Sequence, residues 1–335
     1  MRIVVDALGG DYAPAEIVKG AVLASKEMPE CQIILVGDTD KVKAELSGYP
    51  AQKNIEIIHA PENINMDEHP LQAIRQKKNA SINVGLKIVK DKQADGFISA
   101  CNTGAVMAAA LLTLGRVKGI ERPAIASVFP TIKDNAILLD IGANADCRPS
   151  HLVQFAQMGS LYAQKVLNKE NPKVGLLSIG EEDEKGNELT QATNPLLKKA
   201  PVNFIGNIEG KDIFEGMADV VVCDGFVGNV VLKLSEGLMH TVMNEIKNMV
   251  KKNILAILGA IFMLPVLKIF KKKFDYEEYG GAPLLGVDGI CIITHGRAKA
   301  KAIKNAIRAV KLAAEHKFLE AMHQMEILGA KQSAT

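Results

Sequence analysis

The chain reads as an α/β protein with a mainly parallel sheet covered by helices on both faces. Three observations predict this. Short strand-like runs alternate with stretches of helical periodicity along most of the length. The runs are apolar and rich in β-branched residues, as strands covered on both sides are. Four of them stop at a turn of small polar residues from which a helical pattern begins: DGFISACNTGAVMAAALL, AILLDIGANADCRPSHLVQF, DVVVCDGFVGNVVLKL and GICIITHGRAKAKAI.

The elements follow in order. A strand at 2–6 runs into Gly9 and Gly10, which permit close backbone approach, and Pro14 suits the start of a helix over 14–26. Strands at 32–36 and 54–58 precede a helix over 71–90. The strand at 96–99 passes through Cys101, Asn102 and Thr103 into a helix over 104–116. Strands at 125–129 and 136–141 lead to a helix over 152–166, and a strand at 174–179 to one over 188–199. Strands at 202–205 and 220–223 precede a long helix over 227–250. A last strand at 289–294 is followed by a helix over 298–317, with Ile303, Ile307, Val310 and Ala314 on one stripe. No repeat or linker appears, so positions 1–335 read as a single domain. Gly280 and Gly281, followed by Pro283, are the best candidate hinge.

Segment 254–267 breaks the alternation, being continuously apolar with lysines on either side. It is shorter than the roughly 20 apolar residues a bilayer span requires, and Pro265 interrupts it. It is read either as a buried hairpin or dimer contact, or as the tip of a helical protrusion over 236–282. The second reading, preferred, dips Leu255, Leu258, Ile261, Phe262 and Leu264 into one leaflet while lysines meet anionic headgroups.

A length of 335 residues suffices for a large core, and 48% apolar with 23% charged residues is ordinary for a globular chain. Aromatics at 4% with no tryptophan exclude nucleic-acid stacking platforms, and no nucleic-acid partner is expected. A net charge of +2 conceals lysines crowded between 247 and 273 and basic residues from 297 to 311. Five cysteines without metal spacing read as a reduced cytoplasmic protein, and the N-terminus is a strand rather than a signal peptide.

The usual nucleotide and hydrolase signatures are missing. No G-x-G-x-x-G follows the first strand, GNIEGKD at 206–212 falls short of a Walker loop, and HExxH and G-x-S-x-G do not occur. The strand-end turns remain. A helix start offers N–H groups and a positive dipole end to an anion. Their candidates are Gly9, Gly10 and Asp11; Asn102, Thr103 and Gly104; Asn144 and Ser150; Asp224, Gly228, Asn229 and Lys233; and His295. Each turn alone is explained by capping and packing; four together point to an oxyanion. Glu181, Glu182, Asp183 and Glu184 read as solvated surface, and neither metal nor cofactor is expected.

DALGGDYAP, CNTGA, DIGAN, GEEDEKGNEL and CDGFVGN, in this order, closely resemble the PlsX family of phosphate acyltransferases, from residue 1 to about 319. The resemblance implies a homodimeric three-layer α/β/α fold related to isopropylmalate dehydrogenases. It implies transfer of a fatty acyl group from acyl carrier protein to inorganic phosphate, giving an acyl phosphate for phospholipid synthesis at the inner face of the cell membrane. Such chemistry needs little proton transfer: phosphate arrives largely dianionic and a thiolate leaves readily. It needs an anion held beside a carbonyl. On this reading Asn229 and N–H groups after Gly228 bind phosphate or the thioester oxygen, and Lys185 adds charge. Asp224 orients Asn229 or a water, and Asn102, Thr103, Asn144 and Ser150 supply neutral donors. His295 is read as structural. The basic segments would dock the acidic carrier. The alternatives are a coenzyme A-dependent phosphate acetyl- or butyryltransferase, an NAD- and metal-dependent decarboxylating dehydrogenase, and a non-enzymatic membrane scaffold.

Overall fold

Eleven strands pair into one sheet in the computed structural model, which describes residues 1–65, 67–252 and 254–325. The side chains of Ile254, Leu255, Leu258, Lys271, Lys272 and Tyr276 lie outside the description. The strands are β1 (Arg2–Asp6), β2 (Gln32–Gly37), β3 (Ile55–His59), β4 (Gly96–Ser99), β5 (Ala124–Pro130), β6 (Asn135–Leu139), β7 (Lys173–Leu177), β8 (Asn203–Ile208), β9 (Val220–Val222), β10 (Ala282–Leu285) and β11 (Ile290–Ile293). Their order is β3-β2-β1-β4-β11-β10-β5-β6-β9-β7-β8.

Polarity divides this sheet. β1, β2, β3, β4 and β11 are mutually parallel. β10 is antiparallel to β11 and to β5, and β5 is antiparallel to β6, with which β9, β7 and β8 run parallel. The carboxyl ends of β6, β9 and β7 therefore leave the sheet at the edge where β1, β4 and β11 begin. The short strand β10, which sequence analysis did not anticipate, leaves β5 running in the direction of β11, and the antiparallel pairing of β5 with β6 makes this reversal.

Helices cover both faces. One face carries α1 (Ala15–Glu27), α6 (Pro149–Lys165), α11 (Ala300–Glu315) and α12 (Phe318–Gln324), packed on Ile3, Val5 and Leu139. The other carries α3 (Pro70–Gln76), α4 (Ser81–Lys90) and α5 (Thr103–Thr113), packed on Val4, Phe97 and Leu138. The alternation along β1 and β6 divides the two cores, as the pleat requires. The remaining helices are α2 (Thr39–Leu46), α7 (Glu188–Leu197), α8 (Gly210–Glu215), α9 (Gly225–Lys251) and α10 (Ile254–Lys273).

Three expectations are corrected. The helix expected over 71–90 is two, because the amide of Asn83 bonds the carbonyls of Ile74 (3.0 Å) and Lys77 (2.8 Å) and closes α3. The apolar run is one helix continuing through Pro265 to Lys273. Gly280 is no hinge: a Cβ there would lie 2.2 Å from the backbone of Asn305, so the turn is wedged against α11.

Candidate active site

The turn after β6 is organised by Asp140, which is fully buried. Its carboxylate accepts from the N–H groups of Ile125 (3.1 Å), Gly142 (3.2 Å), Ala143 (3.0 Å) and Asn144 (2.7 Å), and from the Asn144 amide (2.9 Å). Burial pushes this carboxyl up, while the N–H of Ala143 and the Asn144 side chain lead the donors pulling it back. All these partners donate, so the group is read as a carboxylate.

The first turn of α9 presses on this turn. A Cβ at Gly228 would fall 1.9 Å from the Asp140 carbonyl oxygen, so only glycine fits. The Asn229 amide donates to the Ile141 carbonyl at 3.0 Å. Asp224 caps the helix, accepting from the Val227 N–H at 2.9 Å. The DIGAN and CDGFVGN turns are thus two halves of one corner, which local pattern alone did not reveal.

The helix start, however, is largely self-satisfied. The Gly225 N–H bonds the Asn144 carbonyl (2.8 Å), and the Gly228 N–H bonds the Asp224 carbonyl (3.0 Å). Asn144 uses its amide on Asp140 and on the Pro123 carbonyl (2.8 Å). Backbone groups expected to face an anion are therefore engaged within the corner, and charge for an oxyanion falls to side chains. Lys185 is exposed on the next loop of the same edge, after β7, and no ion pair holds it among the described residues. That loop is fixed from below: Ser178 donates to the Lys185 carbonyl (3.2 Å) and Asn207 to that of Glu182 (2.7 Å). Lys233 is exposed and pairs with Glu236 at 3.0 Å.

A second group of corners lies where β1, β4 and β11 end. Asp6, also buried, accepts from the Ser99 hydroxyl (2.7 Å) and the Leu8 N–H (3.1 Å), and burial pushes its carboxyl up. Gly9 and Gly10 continue this turn. Asp11 bonds the Gly296 carbonyl through its N–H (2.7 Å) and lies 3.8 Å from the Arg297 guanidinium. His295 Nδ1 accepts the Arg297 N–H at 3.0 Å, so it carries no proton. Asn102 caps α5 through the N–H groups of Gly104 (2.9 Å) and Ala105 (3.3 Å), and Thr103 is exposed beside it. The candidate residues thus divide by strand polarity into two groups, a division absent from the expectation of one converging pocket. Neither group supplies a thiol nucleophile. Burial pushes Cys101 up to about 12 and Cys223 well above its ordinary range.

Sequence reasoning missed a third feature. Beside the β6 corner lies a cavity of about 490 Å³ lined by Arg116, Arg122, Arg148, Glu121, His151, Leu111 and Pro123. The Ser150 hydroxyl, expected to face substrate, is 3.4 Å from Glu121 at its rim. Arg148 was visible within the stretch AILLDIGANADCRPSHLVQF. Arg116 and Arg122 belong to a connection with no periodic or motif signal, and only the fold brings them to Arg148.

The corrected surface charge matters too. On α11, Lys301 pairs with Asp275 (2.8 Å) and Glu278 (2.7 Å), Lys304 and Arg308 pair with Glu27 (2.8 and 2.7 Å), and Lys311 pairs with Glu30. This basic stretch is largely neutralised by α1 and by the turn before β10.

The fatty acid synthesis protein family profile matches residues 1–321. A phosphate acyltransferase of Pelotomaculum thermopropionicum is 54% identical over 334 residues, covering 98% of this chain and 97% of the relative. One of Desulfitobacterium hafniense is 56% identical over 321 residues, with 96% of each chain covered. In fold, the EutD phosphotransacetylase of Staphylococcus aureus superposes with a TM-score of 0.62 at 16% identity, covering 94% of each chain. A branched-chain phosphotransacylase of Enterococcus faecalis gives 0.58 at 15% identity, covering 94% of this chain and all of the other.

Proposed function

The chain is an acyltransferase that belongs to the PlsX family of phosphate acyltransferases, and we propose that it transfers a fatty acyl group from acyl carrier protein to inorganic phosphate. One observation carries this reading beyond the family. Cations without an ion-pair partner among the described residues, Lys185, Arg122 and Arg148, gather on the carboxyl edge of β6, β7 and β9. An edge so charged, with its backbone donors already engaged, suits reactants that carry phosphate groups, with Lys185 on the loop after β7 set for the attacking dianion.

The reaction places few demands on acid–base groups. A phosphate oxygen attacks the thioester carbonyl, the carbon–oxygen bond forms and the carbon–sulfur bond breaks. The proton of the hydrogenphosphate passes to the departing thiolate, giving acyl phosphate and free thiol. Lys185 would stabilise the phosphate and the oxyanion, and the exposed Asn229 side chain would position one of them. The first group of corners can face the same centre. β1 and β9 are six strand steps apart, and a twist of roughly 20–25° per step accumulates to roughly 120–150°. Set against opposite polarity, this leaves their carboxyl ends pointing within roughly 30–60° of each other.

Two surfaces fit the remaining assignments. Along α9 the large apolar side chains of Phe226, Val230, Leu234, Leu238, Val242 and Ile246 are exposed, which supports a homodimer contact. On α10, Ile261, Phe262 and Leu264 are exposed, Phe262 at 85%, which supports a peripheral membrane tip at the cytoplasmic face. The lysines flanking that tip, rather than those of α11, would meet the acidic carrier or anionic lipid. Among the described residues no helix is long and apolar enough to cross a membrane.

The deciding measurement is thioester consumption from acyl-carrier protein with and without inorganic phosphate. Consumption that requires phosphate and yields acyl phosphate is expected. Turnover confined to short acyl-coenzyme A thioesters would transfer the chain to the phosphotransacetylase-like alternative.

A further inference from the structure

The cavity beside the β6 corner is larger than one oxyanion needs and more cationic than the rest of the rim. Its volume of about 490 Å³ falls in the range of sites that enclose whole organic ligands, so inorganic phosphate would leave most of it empty. Three arginines, Arg116, Arg122 and Arg148, and one carboxylate residue, Glu121, line it.

That carboxylate is engaged by His151 and Ser150. The buried His151 ring accepts the Arg148 N–H at Nδ1 (3.1 Å). Its proton is therefore on Nε2, which lies 3.1 Å from Glu121. The ring is neutral in this arrangement, and burial lowers its pKa further. Ser150 adds a donor to the same Glu121 oxygen at 3.4 Å. Arg116 is fixed by a hydrogen bond to the Glu121 carbonyl. The pocket thus keeps an excess of two positive charges, with Leu111 and Pro123 as apolar wall. It is also tied to the β6 corner: the Pro123 carbonyl holds the Asn144 amide, which in turn holds Asp140.

We propose that this pocket grips the phosphodiester of the thiol-bearing arm on which the acyl group arrives. Arg122 and Arg148 take the phosphodiester oxygens, Arg116 completes the positive wall, and Leu111 and Pro123 pack against the arm's carbon chain. Planar guanidinium donors suit phosphate oxygens. Anchoring the arm here lets its thioester end reach along the edge towards Asn229, while the attacking phosphate uses Lys185. The inference rests on the thioester-donor reading above.

The test compares the unaltered protein with an Arg122→Ala/Arg148→Ala variant, both side chains being exposed and so removable without disturbing the core. Two donors are used: acyl-carrier protein, which has the phosphodiester, and acyl-N-acetylcysteamine, which has the same thioester without it. The expected result is a loss of roughly 10- to 100-fold in kcat/KM for the full-arm donor. The KM for inorganic phosphate should stay within about twofold, and preference for the full-arm over the truncated donor should collapse. Equal losses with both donors, or a matching rise in the KM for phosphate, would make inorganic phosphate the occupant and overturn the proposal; so would no loss at all. Calorimetric titration of phosphopantetheine alone reads the pocket independently of turnover. Binding to the unaltered protein and none to the variant supports the proposal, and equal binding to both, or binding to neither, overturns it. Thioester consumption by the unaltered protein that does not require phosphate would instead defeat the proposed function, separately from the pocket.

Discussion

At the end of β1, buried Asp6 holds its turn through the hydroxyls of Ser81 and Ser99 and the N–H groups of Leu8 and Gly9. At the end of β6, buried Asp140 holds its turn through four backbone N–H groups and an amide, and a glycine of α9 rests on its carbonyl. The plan is the same; the cohesion and the surrounding charge differ. Around the first half, the basic face of α11 is neutralised by Glu27, Glu30, Asp275 and Glu278. Around the second, Lys185, Arg122 and Arg148 have no ion-pair partner among the described residues. A buried carboxylate at a strand end is therefore a scaffold device common to both halves. What separates them chemically is whether the nearby cations are already spoken for.

The largest effect should come from wedging the tighter corner. Gly228→Ala puts a methyl 1.9 Å from a backbone oxygen and should cost about 3–5 kcal/mol in urea unfolding. Gly9→Ala meets mainly side-chain oxygens, Asp6 at 2.6 Å and Ser99 at 2.9 Å, which can move, and should cost about 1–2 kcal/mol. Equal losses would abolish the claimed difference in cohesion.

Next in size is catalysis. Lys185→Ala should lower kcat/KM roughly 100-fold with Tm unchanged. Arg297→Ala, in the first group, should cost roughly tenfold if sheet twist brings both groups about one centre. A silent Arg297→Ala would confine the reaction to the second half.

Asp140→Asn replaces an acceptor of several N–H groups by an amide that offers one oxygen, and should cost about 2–3 kcal/mol. Asp6→Asn, where two of the four donors are hydroxyls that can rotate to suit an amide, should cost about 1 kcal/mol. Urea midpoints in the reverse order would contradict the hydrogen-bond geometry.

The smallest effect lies on the neutralised face. The hydrogen bond from Lys304, and then the Lys304 and Arg308 charges, hold Glu27 below its ordinary value of 4.5. Its contribution is thus complete above pH 4.5 and lost as the pH falls through the folded-state value. Being exposed, it amounts to less than about 1 kcal/mol at neutral pH. Glu27→Gln should therefore narrow the stability gap from the unaltered protein to nothing in acid, as thermal melts across pH would register.

Much of the scaffold was legible in the chain. Periodicity placed most long elements, since apolar, β-branched runs and helical stripes are local signals. What was missed was short or corrective: β10, α2, α8 and the break between α3 and α4, where Asn83 reaches back to bond carbonyls. At the site, the pattern of Asp224, Gly228 and Asn229 singled out a functional-looking turn. Its structural work (a cap, a close contact, a clamp on Ile141) became visible only with its partner turn in place.

The chain alone determined the class of fold, the turns at strand ends and the residue types placed there, because these depend on neighbours a few positions apart. Tertiary structure alone decided how those turns are grouped. Strand polarity across the sheet is set by the whole series of pairings, in which β10 joins distant segments without net reversal and the β5–β6 pairing turns the second half over. It also decided which cations stay unpaired: Lys304 lies 2.8 Å from Glu27, far away in sequence. Arg116, Arg122 and Arg148 share one cavity for the same reason. A side chain's charge is written in the chain, but its electrostatic partner is chosen by the fold.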